Sequence, residues 1–154
     1  MTIAFVWAVA LGTFGWALVA AGTPGRWAAV AILAALGYLS KALPPSLLRN
    51  DVHLSLSSIV LLTAIPLVGP TGAVLVGAFS VLGQIGRTRL QAAVFNMAMH
   101  AVMGGLSGLA YVWSGGLSTP DPGYGPFGLL VDVGLPLIVA DLVQCLVNAA
   151  LLAL

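Results

Sequence analysis

Long apolar runs, interrupted at intervals by glycine, proline and a few charged residues, make up most of this 154-residue sequence. Hydrophobic residues account for 60% of the chain and charged residues for 6%, whereas roughly 25% of an ordinary soluble domain is charged. So few charges cannot cover the surface of a water-soluble fold of this size. We therefore expect the lipid bilayer to surround the chain and residues 1–154 to form a single transmembrane domain.

The glycine, proline and charged residues that interrupt the apolar runs divide the chain into six apolar segments. A helix needs roughly 20 residues to cross a hydrocarbon core about 30 Å thick, and somewhat fewer where the membrane thins. The pattern predicts an all-α, polytopic integral membrane protein built as a six-helix transmembrane bundle. The predicted spans are residues 2–21, 27–43, 54–68, 73–86, 90–113 and 127–154.

Spans three and four are short, and the sequence Gly69-Pro70-Thr71-Gly72 between them predicts a tight turn. A hairpin that crosses a thinned region is favoured over a re-entrant pair, because each leg then has about 17 residues, the lower limit for crossing. The turn is expected on the outer side, at or just below the membrane interface.

Basic residues are unevenly divided between the two sets of connections. Lys41, Arg49, Arg87 and Arg89 follow spans two and four, whereas only Arg26 lies in the other set. The positive-inside rule then predicts a multi-pass protein of the bacterial cytoplasmic (inner) membrane with both termini cytoplasmic. Because these cations are scattered over separate loops, a nucleic-acid partner is not expected.

Small residues recur at four-residue spacing, a pattern that lets helix backbones approach closely in lipid. Close packing inside the protomer is the favoured role, and docking to a partner helix is the alternative. The residues assigned to packing or docking are Ala4, Ala8 and Gly12 in span one, and Gly104 and Gly108 in span five.

Polar side chains within the apolar spans are the candidate ligand-binding or polar-core residues, because unpaired polar groups are costly in hydrocarbon. Asn96 and His100 are four residues apart and share a face of span five. Asp141, Gln144 and Asn148 share a face of span six.

Counted from the outer ends of their spans, His100 and Asp141 lie at about the same depth and are predicted to face each other inside the bundle. Asn96 and Gln144 would then form a second rung one turn deeper. The two rungs are either a ligand or proton site or a structural polar ladder between helices, and the structural role is favoured. Asp132, nearer the outer end of span six, is expected to reach the interface.

Sequence signatures of enzymes are missing. There is no HExxH motif, no pair of glutamates, no phosphate-binding glycine loop with its lysine and no GxSxG elbow. We therefore expect a chain that is not an enzyme. Cys145 is the sole cysteine, so a metal site is not expected, and nothing points to a cofactor.

Several stretches in the second two-thirds of the chain form a recognisable pattern. They are residues 61–78, Phe95-Asn96 with residues 108–111 and Gly115-Gly116, and residues 145–150. Through them, about residues 54–154 resemble the N-terminal multi-span membrane sensor region that precedes HD-GYP phosphohydrolase or GGDEF cyclase domains in actinobacterial signalling proteins. The resemblance implies a sensory or input module, non-catalytic by itself, that binds a small ligand or partner helix and passes the signal to a cytoplasmic output domain.

No output domain follows Leu154. The chain is therefore expected either to be a piece of a longer signalling protein or to act through another polypeptide.

The outline also resembles the substrate-binding S-components of energy-coupling-factor importers, which are six-helix proteins with both ends inside. That resemblance implies that Ala4, Ala8 and Gly12 dock a coupling subunit in the membrane. A structural membrane partner subunit is the third hypothesis. The partners expected across the three are the lipid bilayer, a second copy or another membrane subunit, and a small-molecule ligand.

Overall fold

The computed structural model describes residues 2–42, 56–117 and 125–153, and within these ranges the chain is helical and contains no strand, as predicted. Arg49 and the predicted span ends at residues 43, 54 and 154 fall outside the described residues. The elements are α1 (Thr2–Ala21), α2 (Trp27–Ala42), α3 (Leu56–Ser80), a 3-10 turn (Val81–Gln84), α4 (Leu90–Trp113), the short α5 (Pro126–Leu129), a π-helical turn (Leu130–Gly134) and α6 (Leu135–Leu152).

Four helical segments of the described ranges are long and apolar enough to cross a membrane. They are Ile3–Ala21, Leu56–Gln84, Leu90–Trp113 and Pro126–Leu152. The remaining long helix, α2, has 16 residues. The described ranges thus hold five long helices where six were predicted, because spans three and four both belong to α3.

α3 is a helical hairpin rather than a single rod. Gly69, with φ 72° and ψ 179°, interrupts the helix in a conformation that glycine adopts without steric cost. Leu61 Cδ1 lies 3.4 Å from the position that a Cβ on Gly77 would occupy. In an unbroken helix these two residues would be about 24 Å apart, so the chain reverses at Gly69 and the two legs run antiparallel. The predicted turn is present, reduced to one non-helical residue.

The Gly69 reversal lies at the same end of the molecule as the α1–α2 loop. Thr71 Oγ1 donates a hydrogen bond of 2.7 Å to the carbonyl of Gly22. The end of α4 is at this level too, because Pro70 Cα lies 2.6 Å from the Cβ position of Gly108. We call this the outer end of the bundle, and the end that carries the 3-10 turn the inner end.

The legs of the hairpin are shorter than the span of a standard bilayer. At 1.5 Å per residue, residues 56–68 and 70–84 form legs of about 20 and 22 Å, against a hydrocarbon core of about 30 Å. α2, which packs along this hairpin, is similarly short.

α4 is the central helix and packs against α1, α3 and α6. Its contact with the second leg of α3 is close and reciprocal: Gly104 lies under the carbonyl oxygen of Ala73, and Gly77 lies under the carbonyl oxygen of His100. The predicted small-residue stripe of α4, Gly104 with Gly108, therefore packs within the protomer.

The small-residue stripe on α1 does not pack within the protomer. Ala4, Ala8 and Gly12 are exposed, and no atom lies within 4 Å of a Cβ placed on Gly12. The face that α1 turns to the core carries Val6 and Ala10 instead, both almost fully buried.

The reciprocal glycine contact makes a testable prediction. Gly77→Ala and Gly104→Ala should each destabilise the fold by about 1–3 kcal/mol, because the added methyl group meets a backbone carbonyl that cannot rotate away. Thermal unfolding of the purified protein in detergent measures the loss. Gly12→Ala is the control and should leave the midpoint unchanged or raise it, since alanine favours helix. Equal midpoints for all three variants would contradict the described packing.

Candidate functional site

Three polar side chains meet at the inner end of the bundle. Asn96 Nδ2, on α4, donates a hydrogen bond of 3.1 Å to Gln84 Oε1 in the 3-10 turn. One turn along α4, the His100 ring bonds to the backbone of Asn96. We call Gln84, Asn96 and His100 the inner polar cluster.

The 3-10 turn brings α2 to this cluster. Gly83 lies under the last turn of α2, where the backbone nitrogen of Ala42 is 3.0 Å and Lys41 Cβ is 3.3 Å from the glycine's Cβ position. A side chain at residue 83 would push α2 away.

The hydrogen bond of His100 determines what its ring can offer. Nδ1 lies 2.9 Å from the carbonyl oxygen of Asn96, and since a carbonyl only accepts, Nδ1 carries the proton. In the neutral ring Nε2 is then an acceptor. Among the described residues no donor bonds to it. The His100 residue as a whole is 8% exposed, but its Nε2 is not among the fully enclosed polar atoms that lack a partner in the described ranges.

Gln144 is the buried polar side chain of α6, which packs mainly on α4. It is 3% exposed, and its Oε1 has no hydrogen-bond partner within the described part of the chain. An unpaired buried amide oxygen costs about 1–3 kcal/mol, so stability alone does not account for it. Gln144 thus contributes a free acceptor to the interior.

The predicted pairing of His100 with Asp141 is not formed. The Asp141 side chain is exposed on α6, and in the described ranges no hydrogen bond or ion pair joins the two residues. The second predicted rung fails as well, because Asn96 pairs with Gln84 rather than with Gln144.

The start of α6 explains both errors. The π-helical turn Leu130–Gly134 winds more slowly than an α-helix, so that counting residues from the start of the span misplaces those beyond it. The backbone nitrogen of Leu117 also donates to the carbonyl of Asp132, 3.0 Å away, which fixes this turn against the segment after α4. α6 then directs Gln144 inward and Asp141 outward.

The other predicted site residues lie apart from the cluster. Asp132 is half-buried in the π-helical turn, and Asn148 is half-buried near the end of α6. Sequence reasoning missed Gln84 as a site residue and used Lys41 only for orientation. Gln84 is the one amide residue in the apolar run of residues 73–85. This isolated polar side chain was the sequence signal that could have identified Gln84 as a site residue.

A separate cleft opens at the outer end, between the α1–α2 loop and the Gly69 reversal. Its volume is about 280 Å³, and residues 21–26 and 67–71 line it. Arg26 is the charged side chain among these lining residues. The length of the α3 hairpin separates this cleft from the inner polar cluster.

Comparison of the chain with protein-family models, with curated proteins and with solved structures gives no match. Within the described residues, no three histidine, cysteine or acidic side chains come together as a metal site would require.

The unpaired oxygen of Gln144 can be tested by stability. Gln144→Leu removes it at nearly constant volume and should raise the stability of ligand-free protein by about 1–3 kcal/mol. Gln144→Ala also removes the oxygen but leaves a cavity, so it should be less stable than the leucine variant. Thermal unfolding in detergent compares the two with the wild type. A leucine variant less stable than wild type would mean that Oε1 is already paired.

Proposed function

We propose that this chain is a membrane-embedded sensory or input module, non-catalytic by itself, which binds a small ligand among its helices and passes the signal to a cytoplasmic output domain. The observation that carries the proposal is the buried, unpaired side-chain oxygen of Gln144, Oε1, on the face of α6 that packs inward. A ligand that completes this hydrogen bond acts on the packing between helices, and helix shifts of this kind transmit signals.

The unpaired oxygen also limits the chemistry of the ligand. Gln144 Oε1 is a hydrogen-bond acceptor, so the ligand must supply an N–H or O–H donor. A molecule that carries hydroxyl or amide groups meets this condition.

The lateral surface of the helix bundle supports placement in a bilayer. Large apolar side chains cover the outward faces of α1, α2 and α6, which is unusual for a protein surrounded by water. With the two legs of α3 counted as separate crossings of a thinned membrane, the chain makes the six proposed spans.

The described charges favour the proposed orientation. Arg26 lies at the outer end, whereas Lys41, Arg87 and Arg89 lie at or beside the inner end. The positive-inside rule then puts the inner polar cluster on the cytoplasmic side, next to an output domain.

Cysteine labelling tests this topology. In a Cys145→Ser background, a membrane-impermeant maleimide applied outside intact cells should modify Gly25→Cys and spare Thr88→Cys, because the two positions lie at opposite ends of the bundle. Labelling after lysis should reach both residues, which controls for accessibility. External labelling of Thr88→Cys with protection of Gly25→Cys would show that the orientation is the reverse of the one proposed.

Ligand retention tests the binding site. Native mass spectrometry of the gently purified protein should detect a retained small molecule, and Gln144→Leu should remove most of it, because it deletes the acceptor. Ser107→Ala is the matched control, since it removes a buried unpaired hydroxyl on α4 and should keep the ligand. Loss of the ligand from the control alone, or its retention by Gln144→Leu, would contradict the site.

The exposed stripe on α1 favours the substrate-binding S-component of an energy-coupling-factor importer as a second candidate function. Gly12 meets nothing within 4 Å, so Ala4, Ala8 and Gly12 remain open for a coupling subunit. In that case Gly12→Leu should abolish coupling and leave ligand binding intact. If the chain is an input module, the same variant should retain both binding and signalling.

A further inference from the structure

The cleft at the outer end of the bundle carries a positive charge that nothing in its walls opposes. Residues 21–26 form one wall and residues 67–71 the other. Arg26 is the cation of the first wall, and none of the eleven lining residues is acidic. Asp132 and Asp141, the acidic side chains that the structure describes, belong to neither wall. The cleft is therefore electropositive.

The Arg26 side chain is not engaged by the protein. It is exposed, and in the described ranges no hydrogen bond or ion pair involves its guanidinium. A guanidinium presents five N–H donors in a planar fork that matches the oxygens of a phosphate. These donors are available to a ligand without the loss of a contact within the described part of the chain.

The backbone of the same wall adds further donors. Across the described residues, the N–H groups of Thr23 and of residues 25–29 donate to no carbonyl oxygen. The first bonded N–H of α2 is that of Val30, whose nitrogen is 3.1 Å from the carbonyl oxygen of Arg26. Some of the free N–H groups belong to lining residues of the cleft, and the others open from the first turn of α2 beside them. The wall thus offers backbone donors next to the Arg26 cation.

A hydrogen bond fixes the two walls relative to each other. The Thr71 hydroxyl donates to the carbonyl of Gly22, and this bond of 2.7 Å joins one wall to the other. It also occupies a carbonyl oxygen that would otherwise repel an anion. No described atom lies within 4 Å of a Cβ placed on Gly22, Gly25 or Gly69, so these glycines leave the space between the walls open.

We propose that the outer cleft binds a phosphate group, supplied either by the headgroup of an anionic phospholipid or by a soluble phosphate. A phosphate has enough oxygens to accept from the guanidinium and from backbone N–H groups at the same time. The cleft volume of about 280 Å³ is just below the roughly 300–1,000 Å³ of pockets that enclose drug-sized ligands. A headgroup or an ion therefore fits it better than a large organic molecule. The cleft and its cation carry the inference, which uses neither Gln144 nor the proposed sensory function.

The membrane placement proposed above favours the lipid headgroup of these two sources. Trp27 follows Arg26 directly and is 59% exposed, and tryptophan is enriched at the interface between membrane and water. Phospholipid phosphates lie in the headgroup layer just outside the hydrocarbon core. The start of α2 and the cleft beside it are therefore expected at the level of the lipid phosphates.

Calorimetric titration of the purified chain in a neutral detergent tests the site. The probes are dioctanoyl phosphatidylglycerol and inorganic phosphate, and the reference is dioctanoylglycerol, which has the same acyl chains and no phosphate. The wild-type protein should bind at least one phosphate probe, and it should bind the reference about tenfold more weakly or not at all. Binding of phosphatidylglycerol alone would assign the site to a lipid headgroup. Binding of inorganic phosphate with equal or higher affinity would assign it to a soluble phosphate.

Two variants and a matched control tie the binding to the cleft. Arg26→Gln should weaken the affinity for the phosphate probe about tenfold, because it removes a charged hydrogen-bond donor. Arg87→Gln removes the same charge at the inner end and should bind as the wild type does. Gly25→Glu places a carboxylate in the open space and should abolish binding, and the backbone at Gly25 is not left-handed, so it accepts a side chain.

Thermal unfolding of each variant in the same detergent confirms that it is folded before the titrations are compared. The proposal would be overturned if neither phosphate probe bound the wild-type protein, or if the reference bound as tightly as phosphatidylglycerol. Equal affinities of the wild type and Arg26→Gln, or equal losses in Arg26→Gln and Arg87→Gln, would also overturn it. None of these results bears on ligand retention through Gln144, which is measured separately.

Discussion

The contact between α4 and the second leg of α3 supports the rest of the architecture. At Gly77 and Gly104 each helix lies directly under a carbonyl of the other, so the two axes are closer than side chains would permit. If the chain lies in a bilayer, as proposed, the hydrophobic effect does not hold its helices together, and close backbone packing is the main attraction that remains. α1 and α6 then attach to the free sides of α4, while α2 attaches to the hairpin. The two peripheral helices α1 and α6 expose most of their surface for this reason.

The polar groups divide according to this arrangement. Those on the central elements satisfy one another in part, as Gln84, Asn96 and His100 do at the inner end. Those on α6 have one helix to pack against, so the helix can turn only some of them inward. Gln144 is directed to the core and Asp141 away from it. The burial of Gln144 and the exposure of Asp141 thus mark two surfaces of a single peripheral helix, one facing the interior and one facing away from it.

The sequence predicted the helices well, because apolar runs and the breakers between them depend on local chemistry. α1 and α4 begin and end where the first and fifth spans were predicted, and the reversal falls at Gly69. Prediction failed where rotation about a helix axis decides the outcome. Two residues three apart, such as Asp141 and Gln144, can share a helix face or lie on either side of its edge. The rotation of the helix about its own axis decides between the two. The π-helical turn and the Leu117–Asp132 bond set that rotation, and no periodicity in the sequence encodes either.

The one-residue reversal at Gly69 has a mechanical consequence for the hairpin. A longer loop would let the two legs shift independently along their lengths, whereas a single residue ties their outer ends together and leaves rotation about that point. Each leg is therefore a lever whose pivot is at the outer end. For a leg about 20 Å long, a tilt of about 5° at the pivot displaces its inner tip by about 2 Å. That displacement is as large as the helix shifts by which many proteins switch state. It would occur beside Gln84, at the inner tip of the leg that packs under α4, so a change of angle at the outer end would have to move the α4 contact with it.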